Sequence, residues 1–300
     1  MLLAAAVVGS LAFIIGAAIA GSGGGSDQPA GADAKPPPVP ELPGGGHRIL
    51  PGRRVVAFYG TPGSAVLGTL GRGTPTQAAA RLKRVARAYG GHGRPKVLPA
   101  FEVIATVASS APGPQALYRD RKPLAAIERY HRAIRKAGGI LILDIQPGRS
   151  DFFTEVQRYK KLLLEPDVSL ALDPEWKMDP GQIPGQAIGH TDAYSVNAVS
   201  AWLSQLVKAN HLPQKLLVVH QFTDGMITNR RRLKARPNLA MAIHVDGFGD
   251  PANKRQKYRQ LAPRRRFYPG FKLFYKQDIN RLNPSQVLRL RPAPLLVTYQ

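Results

Sequence analysis

Short apolar runs alternate with amphipathic stretches along most of the chain. The strand-like runs are RVVAFYG (Arg54–Gly60), KVLPAFEVIATVAS (Lys96–Ser109), GILILDIQPG (Gly139–Gly148), VSLALDPEW (Val168–Trp176), KLLVVHQF (Lys215–Phe222), LAMAIHVDGFG (Leu239–Gly249), FKLFYK (Phe271–Lys276) and PLLVTYQ (Pro294–Gln300). Most are apolar throughout and do not alternate, the pattern of parallel strands covered on both faces. Helical periodicity fills the gaps. Thr74, Pro75 and Gln77 form an N-terminal capping signal for a helix that closes at Gly90. A second helix is predicted from Pro123 to Gly138, others follow the third and fourth runs, and Asn283 to Gln286 repeats the capping signal. The stretches around Arg230 and Lys254 read as short and weakly helical. Eight strand–helix steps over about 250 residues predict an α/β fold of the (β/α)8, TIM-barrel type. The alternative is a doubly wound open sheet. The Gly-rich stretch after the first run, Tyr59–Gly73, fits neither the dinucleotide nor the P-loop pattern and reads as a long, mobile loop.

The N-terminus has a different pattern. Leu2–Ala20 carries no charge and is just long enough to span a bilayer. It ends in Ala18-Ile19-Ala20, an A-x-A cleavage pattern, although no Lys or Arg precedes it. Residues 1–20 are therefore expected to be a signal peptide or a membrane anchor. Residues 21–46 read as a flexible Gly/Pro-rich linker, and 47–300 as the barrel. The expected location is outside the cytoplasm, either secreted or anchored at the outer face of the cytoplasmic membrane.

Charge narrows the partners. Lys and Arg number 42 against 19 Asp and Glu, a net charge of +23. Such a field attracts polyanions of any kind. The basic residues are spread over Arg81–Lys96, Arg119–Lys136, Asn229–Arg236 and Lys254–Arg266, which suits adhesion to an anionic surface better than one dedicated groove. The expected partner is a polysaccharide or cell-wall polymer, with an anionic membrane surface as a further one. Export argues against nucleic acid. Cysteine is absent, which excludes disulfides, thiolate metal sites and a cysteine nucleophile.

Candidate chemistry lies where a barrel builds its sites, at the C-terminal ends of the strands. Those ends carry Tyr59, Glu102, Asp144 and Gln146, Asp173 and Glu175, His220 and Gln221, His244 and Asp246, Tyr275, and Tyr299. Residues two apart in a strand share a face, so Asp144/Gln146, Asp173/Glu175 and His244/Asp246 are expected to point together. Pro174 cannot donate to a ladder, so pairing is expected to stop there and leave Glu175 exposed to the pocket beside Trp176. A carboxyl against an indole and low-dielectric walls favours its neutral form, which suits a general acid. Glu175, Asp173, Asp144 and Asp246 are the catalytic candidates. Tyr59, Glu102, Gln146, Trp176, His220, Gln221, His244, Tyr275 and Tyr299 are the candidates for substrate contact. No H-x-x-x-H or H-E-x-x-H spacing occurs, so no metal is expected, the alternative being a divalent site built from His220, His244 and Asp246. No cofactor is expected, and the absence of a G-x-S-x-G elbow counts against a serine nucleophile.

The D-x-E formed by Asp173 and Glu175 at the end of the fourth run resembles that of the glycoside hydrolases of the lysozyme and chitinase type. The closing TYQ also resembles the aromatic-rich last strand of lysozyme barrels. This resemblance implies that Glu175 is the proton donor and that the substrate is a polysaccharide such as cell-wall glycan. The fuller chitinase pattern D-x-x-D-x-D-x-E is not met, because Val168 and Ala171 stand where it has acids. That departure counts against catalysis assisted by a substrate N-acetyl group. The alternative is a non-catalytic barrel that binds anionic wall polymer or membrane through its charge and aromatic mouth.

Overall fold

A computed structural model describes residues Pro38–Gln300. In chain order its elements are β1 (Arg53–Gly60), α1 (Pro75–Arg87), β2 (Lys96–Ala108), β3 (Arg119–Arg121), α2 (Leu124–Lys136), β4 (Ile140–Ile145), α3 (Phe152–Gln157), α4 (Lys160–Leu163) and β5 (Val168–Leu172). There follow β6 (Thr191–Asp192), α5 (Ala193–Ala209), β7 (Lys215–Gln221), β8 (Ile227–Thr228), β9 (Leu239–Val245), α6 (Pro251–Leu261), β10 (Tyr268–Leu273), α7 (Pro284–Leu288) and β11 (Leu296–Tyr299). The strands β1, β2, β4, β5, β7, β9, β10 and β11 pair in parallel in that order, and β1 closes the ring by pairing with both β2 and β11. The fold is a closed (β/α)8 TIM-type barrel with helices between the strands. β3 folds back antiparallel on the end of β2, and β6 pairs with β8 in the loops at the same end.

Two apolar layers hold the ring. Outward-facing residues such as Val56, Phe58, Leu143, Leu170, Val219 and Ile243 pack under the helices. Inward-facing residues fill the N-terminal half of the ring with small and branched side chains, among them Ala57, Ala100, Ile142, Ala171, Val218, Ala242 and Leu296. Leu42, Ile49 and Leu50 belong to this inner cluster and stop the bottom of the ring. The end of the expected linker is therefore part of the fold. Arg53 donates to the carbonyls of Pro43 and Gly45, and Leu42 is buried, because an open barrel floor would leave the inner layer wet.

Local signals explain most helix starts. Thr74 and Gln77 exchange hydrogen bonds as a capping box, and Asn283 and Gln286 do the same. The stretch around Lys254 is a stronger helix than its pattern suggests. Asp250 accepts hydrogen bonds from the backbone of Ala252 and Asn253, Pro251 opens the helix, and Tyr258 and Leu261 anchor one face. The first loop is also better packed than expected: Leu70 is fully buried, and Gly68, at φ 144°, lies so close to the Tyr59 carbonyl that a Cβ would not fit. No described helix is long and apolar enough to cross a membrane. The expected leader, and the linker as far as residue 37, lie outside the described residues.

Candidate active site

Going up each strand, the next inward position after the apolar layer is polar. Ala57 gives way to Tyr59, Ala100 to Glu102, Ile142 to Asp144, Ala171 to Asp173, Val218 to His220, Ala242 to His244, Gly270 to Lys272 and Leu296 to Thr298. Closing the ring therefore gathers carboxylates from distant parts of the chain into one buried layer at the C-terminal end.

His220 is the hub. Its Nε2 lies 2.9 Å from Glu102 Oε1 and its Nδ1 lies 2.8 Å from Asp246 Oδ2. The two contacts suit an imidazolium, whose two N–H groups can each donate to an ionised carboxylate. Burial would push its pKa down, but Asp173, Asp246 and Glu102 outweigh that and hold it well above the ordinary histidine range. Glu102 also accepts a hydrogen bond from Thr298 at 3.0 Å. Burial alone would raise Glu102 and Asp246. Their hydrogen bonds to His220 and the nearby Lys272 charge win, and both sit below the usual carboxylate range. Lys272 Nζ is 3.9 Å from Asp246 Oδ2 and stands 3.7 Å over the centre of the Tyr59 ring, so ring and carboxylate share one ammonium.

The other three acids accept no hydrogen bond from a cation, although Asp144 Oδ1 lies 4.0 Å from His220 Nε2. The Tyr59 hydroxyl donates to Asp144 at 2.8 Å, accepts from Gln146 Nε2 at 3.0 Å, and lies 3.5 Å from Asp173. Burial, with Glu102 nearby, pushes Asp144 up to about 6. Burial, followed by the charges of Asp144, Glu175 and Asp246, pushes Asp173 well above its ordinary value. Burial and then Asp246 push Glu175 up to about 7. The charges explain the split. Two cations in the layer, His220 and Lys272, can neutralise two carboxylates, and the remaining acids hold their protons to higher pH than an ordinary carboxyl does. Among the described residues no arginine pairs with any of the five, whereas Glu155 and Asp167, outside the ring, are taken by Arg119, Arg121 and Arg135.

Above this layer lies a cavity of about 410 Å³. Tyr59, Gln146, Asp173, Glu175, Trp176 and Asp246 line it, as do Phe222, Phe248, Phe274, Lys257, Lys272 and Gln300. Of the sequence candidates, Glu102, Asp144, His220 and His244 lie in the charged layer and do not line the cavity. Strand alternation explains the three that lie elsewhere. Gln221 follows the inward His220, points outward and donates to the Thr223 carbonyl. Tyr275 continues the outward face of Phe271 and Leu273, and Tyr299 continues that of Val297. Tyr299 meets the Tyr89 hydroxyl at 2.6 Å beneath α1. Asp173 and Glu175 are not an extended pair as expected: β5 ends at Leu172, and Pro174–Trp176 form a 3-10 turn. That turn still brings Glu175, half-buried, to the cavity wall next to Trp176.

Lys272 is not among the sequence candidates. Its signal is the first of the two lysines in the run FKLFYK, two residues after an inward glycine. Gly270 has its own purpose, since a Cβ there would collide with His244 Nδ1. Burial and the His220 charge hold His244 well below its ordinary pKa, as a neutral ring packed edge-on to His220 with centroids 5.0 Å apart.

Atoms of Asp173, His220 and Asp246 that could ligate a metal lie within 4.8 Å of one another, as do those of Glu102, Asp144 and His220. Both sets depend on His220, whose two nitrogens donate to carboxylates and have no lone pair to give an ion. The donor set is neutralised from within and does not fit a cation while these bonds hold. No protein-family model matches the chain and no curated protein matches it, so the resemblance to glycoside hydrolases rests on the barrel and on this group of carboxyls alone.

Proposed function

We propose that the protein is an exported enzyme of the glycoside-hydrolase type, acting on a polysaccharide, with cell-wall glycan as the substrate class its charge suits. The observation that carries this reading is that an acid pushed towards neutrality and a carboxylate held ionised border the same aromatic-walled cavity. Environments that drive two carboxyls apart in pKa divide the roles of acid and base between them. Glu175, at about 7, holds its proton into the neutral range and would give it to the leaving oxygen. Asp246, fixed by His220 and Lys272, would act as nucleophile or would activate a water. Trp176, Phe222 and Phe274 give the cavity apolar walls against which a sugar ring could pack. The uncharged segment Leu2–Ala20 supports export.

The test is release of reducing ends from peptidoglycan, chitin and plain glucans. The native protein should release them from at least one, and Glu175→Gln should lose about 10²–10⁴-fold in kcat with its fold intact. Equal product from native and variant would remove Glu175 from the chemistry. The net charge of +23 favours a second reading, a barrel that binds anionic wall polymer or membrane without cleaving it. Salt-sensitive binding, with no product from the native protein on any glycan, would favour that reading.

A further inference from the structure

A second pocket, of about 530 Å³, opens beside the first loop and α1. Arg72, Arg81 and Arg84 line it, with Tyr275 and Phe58 as its aromatic floor. Arg281 does not line the pocket but stacks on its Tyr275, the guanidinium carbon 4.4 Å from the ring centre, and so adds its charge beside it. None of these four arginines forms an ion pair with a described acid. Arg81 is pinned by donating to the carbonyls of Thr69 and Arg72, and its neighbours face it with like charge. Burial, then the charges of Arg72 and Arg84, push the Arg81 guanidinium below its ordinary range. Like charges gathered in a concave site without counter-charge repel one another, and a bound anion removes that cost.

The pocket is continuous with the mouth. Gln277 and Gln300 line both the central cavity and a small depression, and that depression shares Thr69, Arg72 and Tyr275 with the basic pocket. An extended ligand seated over Glu175 and Asp246 can therefore run across the ends of β10 and β11 into the arginines.

We infer that the arginine pocket receives an anionic substituent of the glycan whose scissile bond lies in the mouth, so that the substrate is an acidic polysaccharide. This rests on the glycoside-hydrolase reading. Carboxylate and phosphodiester groups share the needed chemistry, two oxygens that accept from a planar guanidinium.

Arg84 and Arg281 are exposed and make no hydrogen bond that shapes the fold, so Arg84→Gln with Arg281→Gln should leave it unchanged. The control is Arg129→Gln with Arg132→Gln, both exposed on α2, which removes the same charge elsewhere. Dissociation constants of the full chain are measured at about 0.15 M salt, where long-range attraction is screened. The probes are an oligogalacturonate, a poly(glycerol phosphate) and a neutral oligoglucan. The pocket variant should bind at least one anionic probe about tenfold or more weakly than native, a loss of the size expected for charge-assisted bonds. The control should stay within about twofold of native. Loss with the carboxylated or with the phosphodiester probe identifies which group the pocket takes. Equal weakening in both variants, or native-like binding of both anionic probes by the pocket variant, overturns the inference. Pocket-specific loss with no hydrolysis of any glycan keeps the anion pocket and overturns the catalytic reading.

Discussion

His220 shows how a single residue sets the protonation of a whole layer. Its two bonds favour the ionised forms of Glu102 and Asp246, and Asp144, Asp173 and Glu175, without such a bond, release their protons at higher pH than an ordinary carboxyl. A carboxyl whose folded pKa is raised carries a linkage of known sign. Below 4.5, the ordinary value of Glu175, it is protonated in both folded and unfolded chains. As pH rises from there to about 7 the unfolded chain gives up this proton while the folded one keeps it, so stability falls through that window. Glu175→Gln removes this penalty. The variant should be no more stable than native at pH 4 and more stable at pH 8, with Tm higher by ~2–4 °C for each kcal/mol gained. Thermal melts at the two pH values test this, and a Tm difference that does not change with pH would mean that Glu175 titrates normally.

The strand is the element that turns sequence into site. Its alternation decides which of two adjacent polar residues enters the barrel, and one residue of register reverses the answer. In the run Phe271–Lys276 alone, Tyr275 stands at the strand end where an inward residue is expected. The strand starts at Tyr268, and Gly270, Lys272 and Phe274 hold the inward face. The eight runs themselves are legible, because buried parallel strands are apolar throughout. The same uniformity hides their inward face, so the sequence points to Tyr275, Tyr299 and Gln221 and not to Lys272. The 3-10 turn at Pro174 was only half legible: the proline marked the end of pairing but not the direction the chain takes next. β10 also carries a direct test. Gly270→Ala drives a methyl group into His244, and overpacking in a dense core costs about 1–3 kcal/mol. Urea denaturation should register that loss together with a changed His244 ring signal by NMR. An unchanged midpoint and ring signal would mean that the close approach is not there.

At the scale of the molecule, charge is divided in two. The surplus of basic residues lies outside the ring, on helices and loops, while five of the nineteen acids gather within its mouth. Nothing local in the sequence pairs Glu102 with His220, 118 residues away, or Tyr59 with Asp144, 85 away. Those contacts exist because β1 meets both β2 and β11, and closure brings every strand end to one rim. The barrel and most of the rim acids could be read from strand count and strand ends. The division of those acids into ionised and protonated sets could not, since it depends on distances across the ring. That division is the central claim, and a site-resolved NMR titration of the side-chain carboxyl carbons tests it most directly. Glu175 is expected to titrate near 7, while Asp246 stays ionised below the ordinary carboxylate range. Both groups titrating together near their ordinary values would contradict it.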